Sequence, residues 1–159
     1  MEFTNKDLIQ ELTKRFNECK SNLGFKSSFE EIDSSFFIKD GVMSVGFVSE
    51  TFSRQLCSRI VDTFNGWHGY LNGLLMPSPG FFAGQTESKL FNNEEDKKEI
   101  WRLIERTMEL SSRHSLIGIN KNKEMERDFI DDCVGFWKND FSISLGKILK
   151  KINDGWIKD

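Results

Sequence analysis

Apolar residues recur every three or four positions through most of this chain, the period that lines them along one side of an α-helix. Leu8, Leu12, Phe16, Cys19 and Leu23 form the first such stripe. Thr4 and Asp7 precede it at capping-box spacing, Phe3 is placed to staple onto Leu8, and Gly24 follows as a stop. The pattern predicts a helix from Thr4 to Leu23. Ser28 with Glu31 is a second cap, predicting one or two helical turns before Ser34 and Ser35.

Phe52, Leu56, Ile60, Phe64, Trp67, Leu71 and Leu74 define a long helix capped at Ser49. Gly66, Gly69 and Gly73 in its later half predict either a break or a close approach of another helix, since helical glycine costs about 1 kcal/mol relative to alanine. Pro77 and Pro79 then end the segment, and Phe81 to Gly84 reads as an irregular loop with exposed aromatics. Asn93 opens the next helix with Glu94, Glu95 and Asp96 over its positive end, and Gly118 is the expected stop. Met125, Phe129, Cys133 and Phe136 mark a segment from Lys121 to Trp137, punctuated by Asn139 and Asp140. Leu145, Ile148, Leu149, Ile152 and Trp156 mark the last helix, starting near Asp140 or Ser142. Trp101, Trp137 and Trp156 read as core or rim anchors.

One stretch breaks the helical pattern. Phe36 to Lys39 and Val42 to Val48 are apolar, β-prone runs separated by Asp40-Gly41, the composition of a two-residue hairpin turn. The expected architecture is therefore mainly α: a single-domain bundle of about five helices over residues 1–159, with one β-hairpin at about 36–48. A lone hairpin is marginal in water, so its edges would lie against the helices or pair with another chain. Together with the large number of aromatics, this predicts a homodimer.

The 159 residues fit the usual size of one domain, and 38% hydrophobic with 30% charged residues is a globular balance. Phenylalanine is abundant at 15 and proline scarce at 2, which points to an aromatic core and long uninterrupted helices. The net charge of −3 is not segregated, and the Lys147, Lys150, Lys151 cluster alternates with apolar residues as in any amphipathic helix, so nucleic acid is not the expected partner. Cys19, Cys57 and Cys133 are odd in number and lie within helical stripes, which argues against a disulfide framework. A polar start from Met1 to Asp7, and no run of about 18 apolar residues, leave a cytoplasmic protein without membrane attachment as the expectation.

The most distinctive run is Gly66-Trp67-His68-Gly69-Tyr70. Trp67, His68 and Tyr70 could join Phe81, Phe82 and Glu87 of the following loop in a ligand or peptide groove, with His68 supplying charge when protonated. Alternatively, Trp67 and Tyr70 are packing residues and His68 faces solvent. A histidine–cysteine metal site is disfavoured locally, because Cys57 lies about 16 Å from His68 along a helix axis. Carboxylates offer a second reading, in which Glu105 and Glu109 on one helix and Asp128 and Asp131 on another hold magnesium in an all-α hydrolase of nucleotides or phosphate esters. Nearby lysines and arginines make a solvated acidic face the plainer alternative. No nucleophile motif, phosphate loop or dinucleotide fingerprint occurs, and no cofactor is expected. The residual class is a helical binding module, for itself or for a partner protein.

Overall fold

The computed structural model describes residues 4–157, so the expected Phe3 staple lies outside the described residues. The chain runs α1 (Asn5–Leu23), α2 (Phe29–Phe36), α3 (Ile38–Val45), α4 (Phe52–Leu75), α5 (Phe82–Ser88), a 3-10 turn at Lys89–Phe91, α6 (Glu94–Asn120), α7 (Lys123–Phe136) and α8 (Ser142–Trp156). A π-helical turn, Trp137–Phe141, carries α7 directly into α8. The local signals at the start of the chain act as expected. Thr4 and Ser28 both cap through complete capping boxes, and Gly24 ends α1 in the left-handed conformation.

Around this frame α4 lies along α6, and the pairs Ser58–His114, Asn65–Ser111 and His68–Thr107 run in opposite directions, so the two helices are antiparallel. α7 packs against α1, α4 and α6. Buried residues from every helix except α5 join one connected apolar cluster, centred on Leu56, Ile60, Phe64, Ile100, Leu103 and Phe129.

The expected hairpin is absent, and no strand occurs among the described residues. Phe37 ends α2 in the left-handed region (φ 53°), and α3 starts at once. One local and one long-range contact explain the difference. Asp33 Oδ1 accepts the Lys39 amide at 2.7 Å, fixing the α2–α3 corner. Arg59 of α4 donates through Nε to the Phe36 carbonyl at 3.1 Å and lies so close to Gly41 that a Cβ there would sit 3.1 Å from that nitrogen. Gly41 therefore makes room for a guanidinium and does not form a turn; the positive-φ glycine is Gly46, which ends α3. Ile38 and Val42, one helical turn apart, bury against α1 and α4, an apolar contact that an isolated two-stranded ribbon lacks.

Other boundaries moved for similar reasons. Ser49 does not cap α4; its hydroxyl accepts the Thr51 amide, and the helix begins at Phe52. Gly66, Gly69 and Gly73 neither break α4 nor admit another helix, since a Cβ at each would meet nothing within 4 Å. α6 passes Gly118 and stops at Lys121, a left-handed non-glycine residue. Asn139 and Asp140 end no helix, because Arg102 holds the Asp140 carboxylate with two hydrogen bonds at 2.7 and 2.9 Å and keeps the chain wound. The count therefore exceeds the expected five helices.

Candidate functional site

Glu87 is the point where three elements meet. Its carboxylate accepts the Tyr70 hydroxyl of α4 at 2.9 Å through Oε2 and the Trp156 indole N–H of α8 at 2.9 Å through Oε1. Ser88 adds a hydrogen bond to the Leu74 carbonyl at 2.7 Å, so the short α5 is tied to α4 by polar contacts. Trp67 packs edge-on against Tyr70, with ring centroids 6.0 Å apart. Burial, then the hydrogen bond to Glu87 and its charge, push the Tyr70 hydroxyl up to about 12. Sequence reasoning had joined Trp67, Tyr70 and Glu87 and had missed Trp156 as their partner. No local signal gave it, since a half-exposed indole N–H can bond to water.

Phe81 and Phe82 stand beside this clamp and do not close over it. Pro77 to Gly80 forms the expected turn, but helix resumes at Phe82, so the predicted irregular loop from Phe81 to Gly84 is mostly the first turn of α5. Phe81 is 61% exposed and Phe82 77% exposed, with Met76 before the turn 63% exposed. The Phe81 ring folds back over Gly84, where a Cβ would lie only 2.8 Å from it.

His68 belongs elsewhere. It points across the α4–α6 interface, its Nδ1 3.0 Å from the hydroxyl of the fully buried Thr107. Thr107 gives its own proton to the Ile104 carbonyl at 2.7 Å and can only accept from His68. Nδ1 is therefore the donor in this contact. The expectation that His68 serves the Phe81–Glu87 groove loses its geometric basis, as does a solvent-facing His68.

The four carboxylates of the magnesium reading are each engaged separately. Glu105 accepts the Trp101 indole N–H at 2.7 Å, and Glu109 pairs with Arg106. Asp128 pairs with Arg127 at 2.9 Å. Asp131 accepts the backbone amides of Lys26 and Ser27 and the Ser27 hydroxyl, between 2.7 and 3.1 Å, and so pins the α1–α2 link onto α7. Among the described residues no three His, Cys, Asp or Glu side chains gather where one metal ion could bind. His114 is half-buried against Phe129 and within 3.5 Å of the Ser58 hydroxyl. Cys19, Cys57 and Cys133 are free and buried, and desolvation pushes all three thiols above their ordinary range, which makes them poor nucleophiles.

No described helix is long and apolar enough to cross a membrane. Compared with models of protein families, with curated proteins and with solved structures, the chain matches none.

Proposed function

We propose that this protein is a single-domain helical binding module that recognises a protein partner through the aromatic face around α5. One observation carries the reading: α5 buries none of its residues, yet the turn that opens it presents Met76, Phe81 and Phe82 to solvent, with Ile157 of the adjoining chain end 67% exposed. Scattered exposed apolar side chains are ordinary, but a helix that contributes nothing to the core and opens on two consecutive exposed phenylalanines, Phe81 and Phe82, has the character of an interaction surface. The Glu87 clamp supports the reading, because it holds α5 in place by hydrogen bonds and leaves its aromatic side chains to a partner. Three reduced, buried thiols suit a cytoplasmic setting.

The test is affinity capture by the full chain, comparing wild type with the Phe81→Ser/Phe82→Ser double variant. A partner retained by the wild type and lost by the variant, with an unchanged helical circular dichroism signal, is the expected result. Equal retention by both, or loss accompanied by unfolding, removes the face from consideration.

A further inference from the structure

A groove of about 230 Å³ lies between α3 and the first half of α4. Ile38 and Val42 of α3 and Phe52 and Leu56 of α4 line it, so its inner surface is apolar. At about 30 Å³ for each water molecule, the space holds about eight waters, the bulk of one small organic molecule such as a leucine and less than the cleft of a drug-sized ligand. The groove is separate from the α5 face. Arg59 on its rim precedes Tyr70 by about 16 Å along the α4 axis.

Four polar side chains of α4 stand at the rim, and they divide into two sets. Gln55 is engaged at both ends of its amide, accepting from the Ser49 amide at 2.9 Å and donating to the Phe47 carbonyl at 3.4 Å, and Ser58 faces His114. Arg59 and Asp62 are open. Arg59 donates through Nε to the Phe36 carbonyl, and its two terminal nitrogens hold no partner among the described residues; Asp62 is exposed and makes no hydrogen bond or ion pair with any of them. Elsewhere in the chain an arginine and a glutamate three positions apart close on each other, as Arg102 does with Glu99 and Arg106 with Glu109. Arg59 and Asp62 have the same spacing and stay apart, because the Phe36 carbonyl and the space over Gly41 hold the guanidinium towards α3. A cation and an anion, from Cβ positions about 5–6 Å apart, are thus presented beside one apolar groove.

We infer that this groove binds a free α-amino acid with an aliphatic or aromatic side chain, its carboxylate on the terminal nitrogens of Arg59, its ammonium on Asp62 and its side chain against Ile38, Val42, Phe52 and Leu56. Charge complementarity selects this ligand. A hydrocarbon meets neither charge, a fatty acid or the carboxyl end of a peptide leaves Asp62 without a partner, and an amine leaves Arg59 without one. An amino acid carries both charges on one carbon atom, with the apolar group beside them, and meets all three features from one position. Arg59 also offers the planar, multiple-donor geometry that suits a carboxylate.

Calorimetric titration of the full chain with L-leucine, L-phenylalanine, glycine, N-acetyl-leucine and leucinamide tests it. Leucine and phenylalanine are expected to bind saturably. Glycine, N-acetyl-leucine and leucinamide each lack one of the three contacts and should bind about tenfold more weakly or not at all. Asp62→Asn changes an exposed residue without partners, so the helical circular dichroism signal should stay as it is. That variant should bind leucine about tenfold more weakly than the wild type does and N-acetyl-leucine no differently, a pattern that general damage to the fold does not produce. Absence of saturable binding by both leucine and phenylalanine up to about 10 mM overturns the inference. So does equal binding of leucine and N-acetyl-leucine, which would make the groove a site for carboxylates alone, or an Asp62→Asn variant that binds leucine as the wild type does. The capture experiment with Phe81 and Phe82 decides the binding-module reading separately, since those residues do not line this groove.

Discussion

Two aromatic groups in this protein use the same side chains to opposite ends. Phe36, Phe64, Phe136, Trp137 and Phe141 meet where α2, α4 and the π-helical turn converge, with ring centroids 5.2 to 5.8 Å apart in stacked, tilted and edge-on pairs. Phe64 and Phe141 are completely buried there. One to two turns further along α4, Tyr70 bonds with Trp156 to a single carboxylate and Trp67 packs on Tyr70, while Phe81 and Phe82 project into water. The first group is held by packing, with Phe136 and Trp137 half-buried at its rim. The second is held by two hydrogen bonds and keeps its largest apolar surfaces open, which is why an aromatic count alone cannot separate core from binding face.

The comparison fails at once if the buried group is not the stronger. Phe64→Ala should cost about 3–5 kcal/mol, the range for truncating a core phenylalanine, read as a lower midpoint in denaturant unfolding. A loss near that of a surface residue would mean that the cluster repacks freely. The clamp is the intermediate case. Glu87→Ala leaves Tyr70 and Trp156 able to bond to water, so about 1 kcal/mol is expected; a loss as large as that of Phe64→Ala would put the clamp in the core class.

A sharper reading of the clamp comes from pH. Tyr70 is the one tyrosine in the chain, so phenolate absorbance reports it directly. Its hydroxyl titrates at about 12, above the ordinary value of about 10, which means that the folded state favours the protonated form. The corresponding stability is complete below pH about 10 and is lost as pH rises through about 12. In Glu87→Ala the midpoint should fall part of the way back, since burial, the larger cause, remains. An ordinary tyrosine titration in the wild type would show that the clamp does not form. The smallest effect belongs to Phe82→Ala, expected within about 0.5 kcal/mol of wild-type stability; a loss of several kcal/mol would make Phe82 a core residue and remove the contrast altogether.

The sequence by itself determined α1, the start of α2 and most of the apolar stripe of α4. Capping boxes, a left-handed glycine and a period of 3.6 residues act between neighbours in the chain, so Thr4, Asp7, Ser28, Glu31 and Gly24 carried their outcome with them. It also brought Tyr70 and Glu87 into one candidate site, because the Pro77 to Gly80 turn folds α5 back on α4. What the tertiary structure decided lay wherever two local readings were close in energy. Phe36 to Val48 suits strand or helix, and Arg59, more than a dozen residues on, filled the space over Gly41 and held the Phe36 carbonyl. His68 could face solvent or a groove until Thr107 on α6 supplied its acceptor. Asp131 looked like one of a metal-binding set until the amides of Lys26 and Ser27, about a hundred positions away in sequence, engaged it. In each case a polar group that cannot be buried without a partner found one far along the chain, and no local pattern encodes that partner's position.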